Sequence, residues 1–314
     1  MASRIPLGVT TDPEYGGRWT SLTGGGREWL WSRDEPRRAT ARPGDQFADA
    51  GGLEECVPTI SGSPDHGSVW ALPWSAQEAA GAATCSAEAG AAKPTWAARR
   101  DRTGPGDAVG SGLGLGLKVR TGEFALSRTI CVVDGAIVAD YRLAAEPGFR
   151  FIWAAHGLLD LSDEAQLQAP VGTPTRIFRE DRPRLLSPWP TRAPYLEGPW
   201  PSPAGFPLNR LGPADGTAIA ATISTPSLAV EDGHHRLHFH LEAEGEQPIS
   251  VALWRNLGGW PANHPYRSIG IEPMLGRVFV LDEAEPGDYA VVPSSGESGW
   301  RLTIWMEGSP PDRG

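Results

Sequence analysis

Basic residues, cysteine and long apolar runs are all scarce in this chain, and each scarcity removes a class of function. Lysine and arginine number 28 against 38 aspartates and glutamates, a formal net charge of −10. An acidic surface repels phosphate backbones and anionic lipid, so neither nucleic acid nor a membrane is an expected partner. No stretch approaches the ~18 consecutive apolar residues of a spanning helix, and the opening "MASRIPLGVTTDPEYGG" has no apolar core of signal-peptide length. The three cysteines, Cys56, Cys85 and Cys131, are odd in number and widely spaced, which fits neither a disulfide framework nor a zinc site. Free thiols in a soluble, cytoplasmic protein are the expectation.

Turn formers and tryptophan, in contrast, are plentiful. The chain has 39 glycines and 30 prolines, which break helices repeatedly and leave room for many short strands. Thirteen tryptophans and a 40% hydrophobic content are enough to bury a core. "GGRWTSLT" and "REWLW" flank the triple glycine at 24–26 and read as a hairpin. Further strands are expected in "AIVADYRLAA", "FRFIWAAH", "HRLHFHLEA", "PISVALWRN", "SIGIEP", "RVFVLDE", "DYAVVP" and "WRLTIWM". Residues 34–50 and 162–210 read as loops, and 76–98 as an alanine-rich helix or insertion. "GSGLGLGLKV" has the look of a nucleotide-binding glycine loop, but residues 118–133 alternate like a strand where that motif must open a helix. With no internal repeat and no sharp composition break, residues 1–314 read as one all-β domain, a large antiparallel sandwich.

Three places could carry chemistry. In "RSIGIEPMLGR", Ile269 and Ile271 face one side of a strand, and Ser268, Gly270 and Glu272 the other. Pro273 removes a ladder donor, so Glu272 is expected at the last paired position, with open space before it. In "FRFIWAAHGLLDL", Phe149, Phe151, Trp153 and Ala155 share one face and Ile152, Ala154 and His156 the other. Gly157 is expected to end that strand just beyond His156. In "SPDHGSVWALPW", Asp65 and His66 occupy a Pro/Gly turn, a place where binding residues concentrate.

In order along the chain, "GGRWTSLTGGGREWLW", "GGLEECVPTI", "PDHGSVWALPW", "FIWAAHGLLDL" and "LWRNLGGWPANHPYRSIGIEPMLGR" resemble the aldose 1-epimerase (galactose mutarotase-like) superfamily. The likeness leans towards its glucose-6-phosphate 1-epimerase-like and uncharacterised sugar epimerase branches. The resemblance implies a β-supersandwich of large, twisted antiparallel sheets with a sugar cleft on one sheet face. It implies His156 as general acid on the ring oxygen, Glu272 as general base on the anomeric hydroxyl, and His66 as a sugar-holding residue. The implied reaction is interconversion of α and β anomers through ring opening, with acid and base on opposite sides of the ring and no metal or other cofactor. Asp65, Trp70, Trp153 and Trp260 are further substrate-binding candidates, Trp153, Trp254 or Trp260 as stacking surfaces.

The phosphate-sugar branch usually has arginines at the positions that Ala50 and Trp70 occupy here. Because arginine forks are the natural phosphate clamp, an unphosphorylated aldose is expected, with Trp70 free to stack on its ring. Arg176, Arg179, Arg182 and Arg184 could substitute as a clamp or form a solvated loop face. In "HHRLHFH", His238 and His240 could chelate, but Arg236 lies in the same register and no third ligand is evident. Two other readings stay open: a carbohydrate-binding protein without turnover, and an acid/base enzyme acting on another hemiacetal or sugar-like metabolite. Oligomeric state is not legible.

Overall fold

In a computed structural model, residues 3–76, 107–108, 114–178 and 194–308 are described. The glycine and proline spacing has its expected consequence: the described residues form strands and three short 3-10 turns, with no α-helix. None of it is a helix long and apolar enough to cross a membrane.

Two large antiparallel sheets account for most strands. The nine-stranded sheet has the order Gln166–Gln168, Ser227–Asp232, His235–Ala243, Glu297–Gly308, Ala136–Ala145, Phe124–Val133, Leu115–Arg120, Ser75–Ala76, with Ser3–Ile5 beside Glu297–Gly308. The eleven-stranded sheet runs Tyr195–Pro199, Pro174–Phe178, Ala218–Ile223, Ile249–Trp260, Tyr266–Leu275, Trp153–Leu159, Leu53–Cys56, Arg18–Gly24, Gly8–Asp12, Asp107–Ala108, with Arg27–Glu28 on Arg18–Gly24.

Alternation along each strand divides the side chains between a shared core and an outer face. Leu126, Ile130, Phe239, Leu302 and Ile304 from the first sheet belong to the same core as Trp19, Leu53, Trp153, Ala155, Ile269 and Ile271 from the second. Alternate residues of the second sheet, Cys56, Ala154, Ala252 and Met274, form a smaller apolar cluster with Ile60, Ile152 and Val278. That second face carries the cleft. The core side also holds a buried charge: Glu55 accepts from Arg128 (2.6 Å), the Tyr141 hydroxyl (3.0 Å) and Trp153 Nε1 (2.8 Å).

The hairpin around Gly25 and Gly26 forms as expected, and the glycine-rich stretch leads into the strand Leu115–Arg120. Other expectations change. Residues 162–210 contain the strands Gln166–Gln168, Pro174–Phe178 and Tyr195–Pro199; Pro174 and Pro199 face each other at strand ends, where the missing N–H is tolerated. Of the alanine-rich segment, only Ala76 is described, in a two-residue strand. Cys56 is a buried free thiol, but Cys131 is disulfide-bonded. The expectation of free thiols therefore fails at Cys131, and such a bond is rare in cytosolic proteins.

Neither Gly157 nor Pro273 ends its strand. Trp153–Leu159 runs on through Gly157, and Tyr266–Leu275 through Pro273. The two are neighbours in the middle of the sheet, paired at Ala154 with Met274 and at Leu158 with Gly270. Between those pairs the ladder is interrupted, and Pro273 lies in the gap, so its lack of a donor coincides with a stretch that makes no ladder bonds. His156 and Glu272, carried forward in the same register, stand opposite each other across that gap.

Candidate active site

The register brings the two side chains out on the same face and into contact. His156 Nε2 lies 3.6 Å from Glu272 Oε1, and the residues are 8% and 2% exposed. The gap between imidazole and carboxylate is too small for a sugar ring, so the pair stands side by side; acid and base do not flank the ring on opposite sides. Burial lowers the proton affinity of His156 against the pull of the Glu272 carboxylate. Burial likewise raises the Glu272 carboxyl, opposed by His156. Both shifts follow from desolvation of the charged form.

Gly270, on the same strand face, makes room for the carboxylate. An added Cβ would collide with Glu272 Oε1 and lie 2.8 Å from Trp254 Cβ. Gly270→Ala is expected to destabilise the fold by about 1–3 kcal/mol through overpacking, read as a lower midpoint in urea unfolding. An unchanged midpoint would mean that the carboxylate has another place to go.

The Asp65–His66 turn closes one wall. His66 adopts a left-handed φ of 57°, uncommon for a residue with a Cβ. The next residue must be glycine, because a Cβ on Gly67 would run into the Val57 carbonyl. His66 Nδ1 is 2.8 Å from Asp65 Oδ1, and Asp65 Oδ2 accepts the Phe47 N–H at 3.0 Å. Burial would raise the Asp65 carboxyl, but the His66 hydrogen bond and charge and the Phe47 N–H outweigh it and hold it below its ordinary value. Phe47 stacks on His66 (3.9 Å between centroids), and the His66 and His156 rings meet edge-on at 5.0 Å.

These groups open into one cavity of about 430 Å³, whose walls include His156, Glu272, Asp65, His66, Trp254, Trp260 and Tyr266. That is within the range of small-molecule sites, roughly 300–1,000 Å³. Trp70 and Trp153, expected to touch ligand, do not line it. Trp70 is fully buried, its Nε1 donating to the Asp65 carbonyl at 3.0 Å and its ring under the Arg38 guanidinium. It supports the turn from behind. Trp153 points from the odd side of its strand into the core, towards Glu55.

The sequence reading missed Phe47, Asp49, Arg33, Arg37 and Tyr266. Tyr266 was within reach, since it shares strand parity with Glu272. The others come from residues 33–50, which have no periodic pattern. The Tyr266 hydroxyl donates to the Asp49 carboxylate. Arg33 and Arg37 are both paired with Glu35, at 3.3 and 2.8 Å. Arg176 lies outside the cavity walls and is held by Glu197 and Asp288; Arg179, Arg182 and Arg184 lie outside the described residues. In the histidine-rich strand, His238 is 3.4 Å from Glu307, and His240 bonds Ser227 at 2.7 Å. No cluster of three metal-ligating side chains occurs among the described residues.

Several solved structures share this architecture. The Slr1438 protein from Synechocystis sp. PCC 6803 matches with a TM-score of 0.63 at 12% identity, over 98% of this chain and 96% of that one. A galactose mutarotase-like protein from Lactobacillus casei matches with a TM-score of 0.59 at 14% identity, over 98% and 100%. A galactose mutarotase related enzyme from Lactobacillus acidophilus matches with a TM-score of 0.58 at 10% identity, over 99% of each chain. At such identities the likeness shows the fold: this chain has the galactose mutarotase-like β-supersandwich. No family model matches the sequence, and no curated protein does.

Proposed function

We propose that the protein is an aldose 1-epimerase that interconverts the α and β anomers of an unphosphorylated aldose. The observation that carries this reading is the His156–Glu272 pair, opposed on neighbouring strands at 3.6 Å in the wall of one cavity. A cyclic hemiacetal opens when a proton leaves the anomeric hydroxyl as another reaches the ring oxygen. Those two oxygens are bonded to the same carbon, so a side-by-side acid and base can serve them together. Glu272 takes the O1 proton while His156 protonates O5; the C1–O5 bond breaks, C1 becomes the aldehyde carbon and O5 a free hydroxyl. After rotation about C1–C2, O5 attacks the other face of the aldehyde, returning its proton to His156 as Glu272 reprotonates O1. Groups placed this way typically contribute about 100- to 10,000-fold each. His66, held by Asp65, is assigned to bind the sugar beside the ring oxygen.

A neutral sugar is favoured because the arginines at the cavity already serve Glu35, and Asp49, Asp65 and Glu272 would oppose a phosphate. The test is exchange of pure anomers followed by NMR across a panel of neutral and phosphorylated aldoses. Acceleration of neutral sugars is expected; binding without acceleration would return the protein to the carbohydrate-binding class.

The same assay has an expected pH dependence. Activity needs Glu272 ionised and His156 protonated, and the pair titrates as a unit. Because Glu272 is raised, activity should fall on acidification already above the ordinary glutamate value of about 4.3. Because His156 is lowered, activity should fall on the alkaline side below the ordinary imidazole value of about 6.5. A narrow bell in kcat/KM is expected, and a broad plateau reaching beyond both values would contradict it.

A further inference from the structure

Three carboxylates line the cavity, Asp49, Asp65 and Glu272, and the reaction proposed above gives Asp49 no part. Asp49 is nevertheless tied to both strands that carry the His156–Glu272 pair. Its Oδ2 accepts the hydroxyl of Tyr266, which stands on the Glu272 strand, Tyr266–Leu275, with the parity of Glu272. Its Oδ1 accepts the Gly51 N–H at 2.9 Å, and the neighbouring Gly52 carbonyl accepts the Leu158 N–H at 2.9 Å. Leu158 belongs to the His156 strand, two residues further on and on the same face. Arg33 Nε holds the Asp49 backbone carbonyl at 2.8 Å. A Cβ on Gly51, whose φ is 71°, would run into the Trp31 carbonyl, so the chain beside Asp49 is closely fitted and the carboxylate is held in place.

The surrounding charges are matched, and that of Asp49 is not. Arg33 and Arg37 pair with Glu35 at 3.3 and 2.8 Å, and Asp65 pairs with His66 at 2.8 Å. Glu54, the ladder partner of His156, pairs with Arg38 at 2.7 Å, and Arg18 lies 3.9 Å from it. Cys56, on the same sheet face, has its thiol pushed well up by burial and stays neutral. Among the described residues Asp49 makes no ion pair; its two side-chain partners, a phenol and a backbone amide, are neutral donors. A half-buried negative charge favours a proton on any titratable neighbour. Burial lowers the proton affinity of His156; Glu272 opposes that, His66 adds to it, and Asp49 opposes it again. Burial raises the Glu272 carboxyl; His156 opposes that, and Asp49 adds to it.

We propose that Asp49 is a positioning residue of the epimerase site, a fixed negative charge that keeps the His156–Glu272 pair in its one-proton form. The inference rests on the epimerase reading for what the pair does, but the charge effect can be read without turnover. One proton on the pair leaves a donor for O5 and an acceptor for O1. Two protons leave no base, and none leaves no acid. Without the Asp49 charge both groups release protons more readily, so both limbs of the pH profile move to lower pH.

The experiment compares the wild type with Asp49→Asn, Asp49→Ser and Asp49→Glu, by anomer exchange across pH and by NMR titration of the His156 imidazole. In the two neutral variants, kcat/KM should fall about three- to tenfold on the alkaline limb and rise by about the same factor on the acid limb. His156 should titrate at lower pH in both. Asp49→Glu, which keeps the charge, should hold both limbs and the His156 titration close to the wild type. Limbs that stay in place while only KM rises would make Asp49 a sugar contact and overturn the proposal, as would movement of one limb alone. If the wild type accelerates no sugar, the epimerase reading fails, and the His156 titration still decides the role of the charge: an unchanged midpoint in the folded neutral variants would remove it.

Discussion

Glu272→Gln is expected to slow anomer exchange by about 100- to 10,000-fold while leaving the fold intact. Glutamine matches the shape of the carboxylate but cannot accept the anomeric proton. Glu272 is nearly inaccessible, and burial already raises its proton affinity, so a neutral amide relieves a desolvation cost. The unfolding midpoint should therefore hold or rise. A second readout separates loss of the base from general damage. The Glu272 carboxylate is the first influence that supports the His156 proton against burial, so the His156 imidazole should titrate at lower pH in the variant, as followed by NMR. A variant that exchanges anomers at the wild-type rate would remove Glu272 from the mechanism.

Much of this centre was legible in the strand parity of the sequence. The alternation in "SIGIEP" and "FIWAAH" placed Glu272 and His156 on faces opposite the core-bound Ile271 and Trp153, and the structure keeps those faces. The same parity should have excluded Trp153 as a ligand contact, since a residue at odd spacing from His156 in a strand must point the other way. The meeting of His156 with Glu272 was not readable from either segment. It depends on which strands become neighbours and in what register, a non-local choice that no local pattern encodes. Gly157 and Pro273 misled for a related reason. Both are strand breakers by local rule, but Pro273 falls where the ladder to Trp153–Leu159 is interrupted and its missing donor is not called on, while Gly157 keeps its own N–H and is held in the ladder by Leu53 on its other side. Residues 33–50 gave no warning of Phe47, Asp49 or the two arginines Arg33 and Arg37. Their contacts to His66, Tyr266 and Glu35 are made by an irregular segment folded over the sheet, and irregular segments carry no period to read.

The second large effect is expected in the core between the two sheets, at Arg128 of the nine-stranded sheet. Its guanidinium donates to Glu55 Oε1 and to the Gly17 carbonyl, both at 2.6 Å, and neither partner of the ion pair is exposed. Arg128→Met leaves the Glu55 carboxylate in the core with only Tyr141 and Trp153 as donors. Breaking a buried pair by removing one partner costs about 3–5 kcal/mol, because the remaining charge is uncompensated. The expected result is a clearly lower urea midpoint with an unchanged slope. Replacing both partners, as Glu55→Leu with Arg128→Met, should recover a large part of that loss, since the desolvation cost of the pair disappears with it. A single-variant loss below about 1 kcal/mol would show that Glu55 takes up a proton at little cost. The position matters for function because Glu55 belongs to the strand Leu53–Cys56, which pairs with Ala155 and His156. Anchoring that strand from the core side holds the imidazole in register with Glu272. Arg128→Met should therefore lower activity mainly through the fraction of folded protein, whereas Glu272→Gln should lower it in protein that remains fully folded.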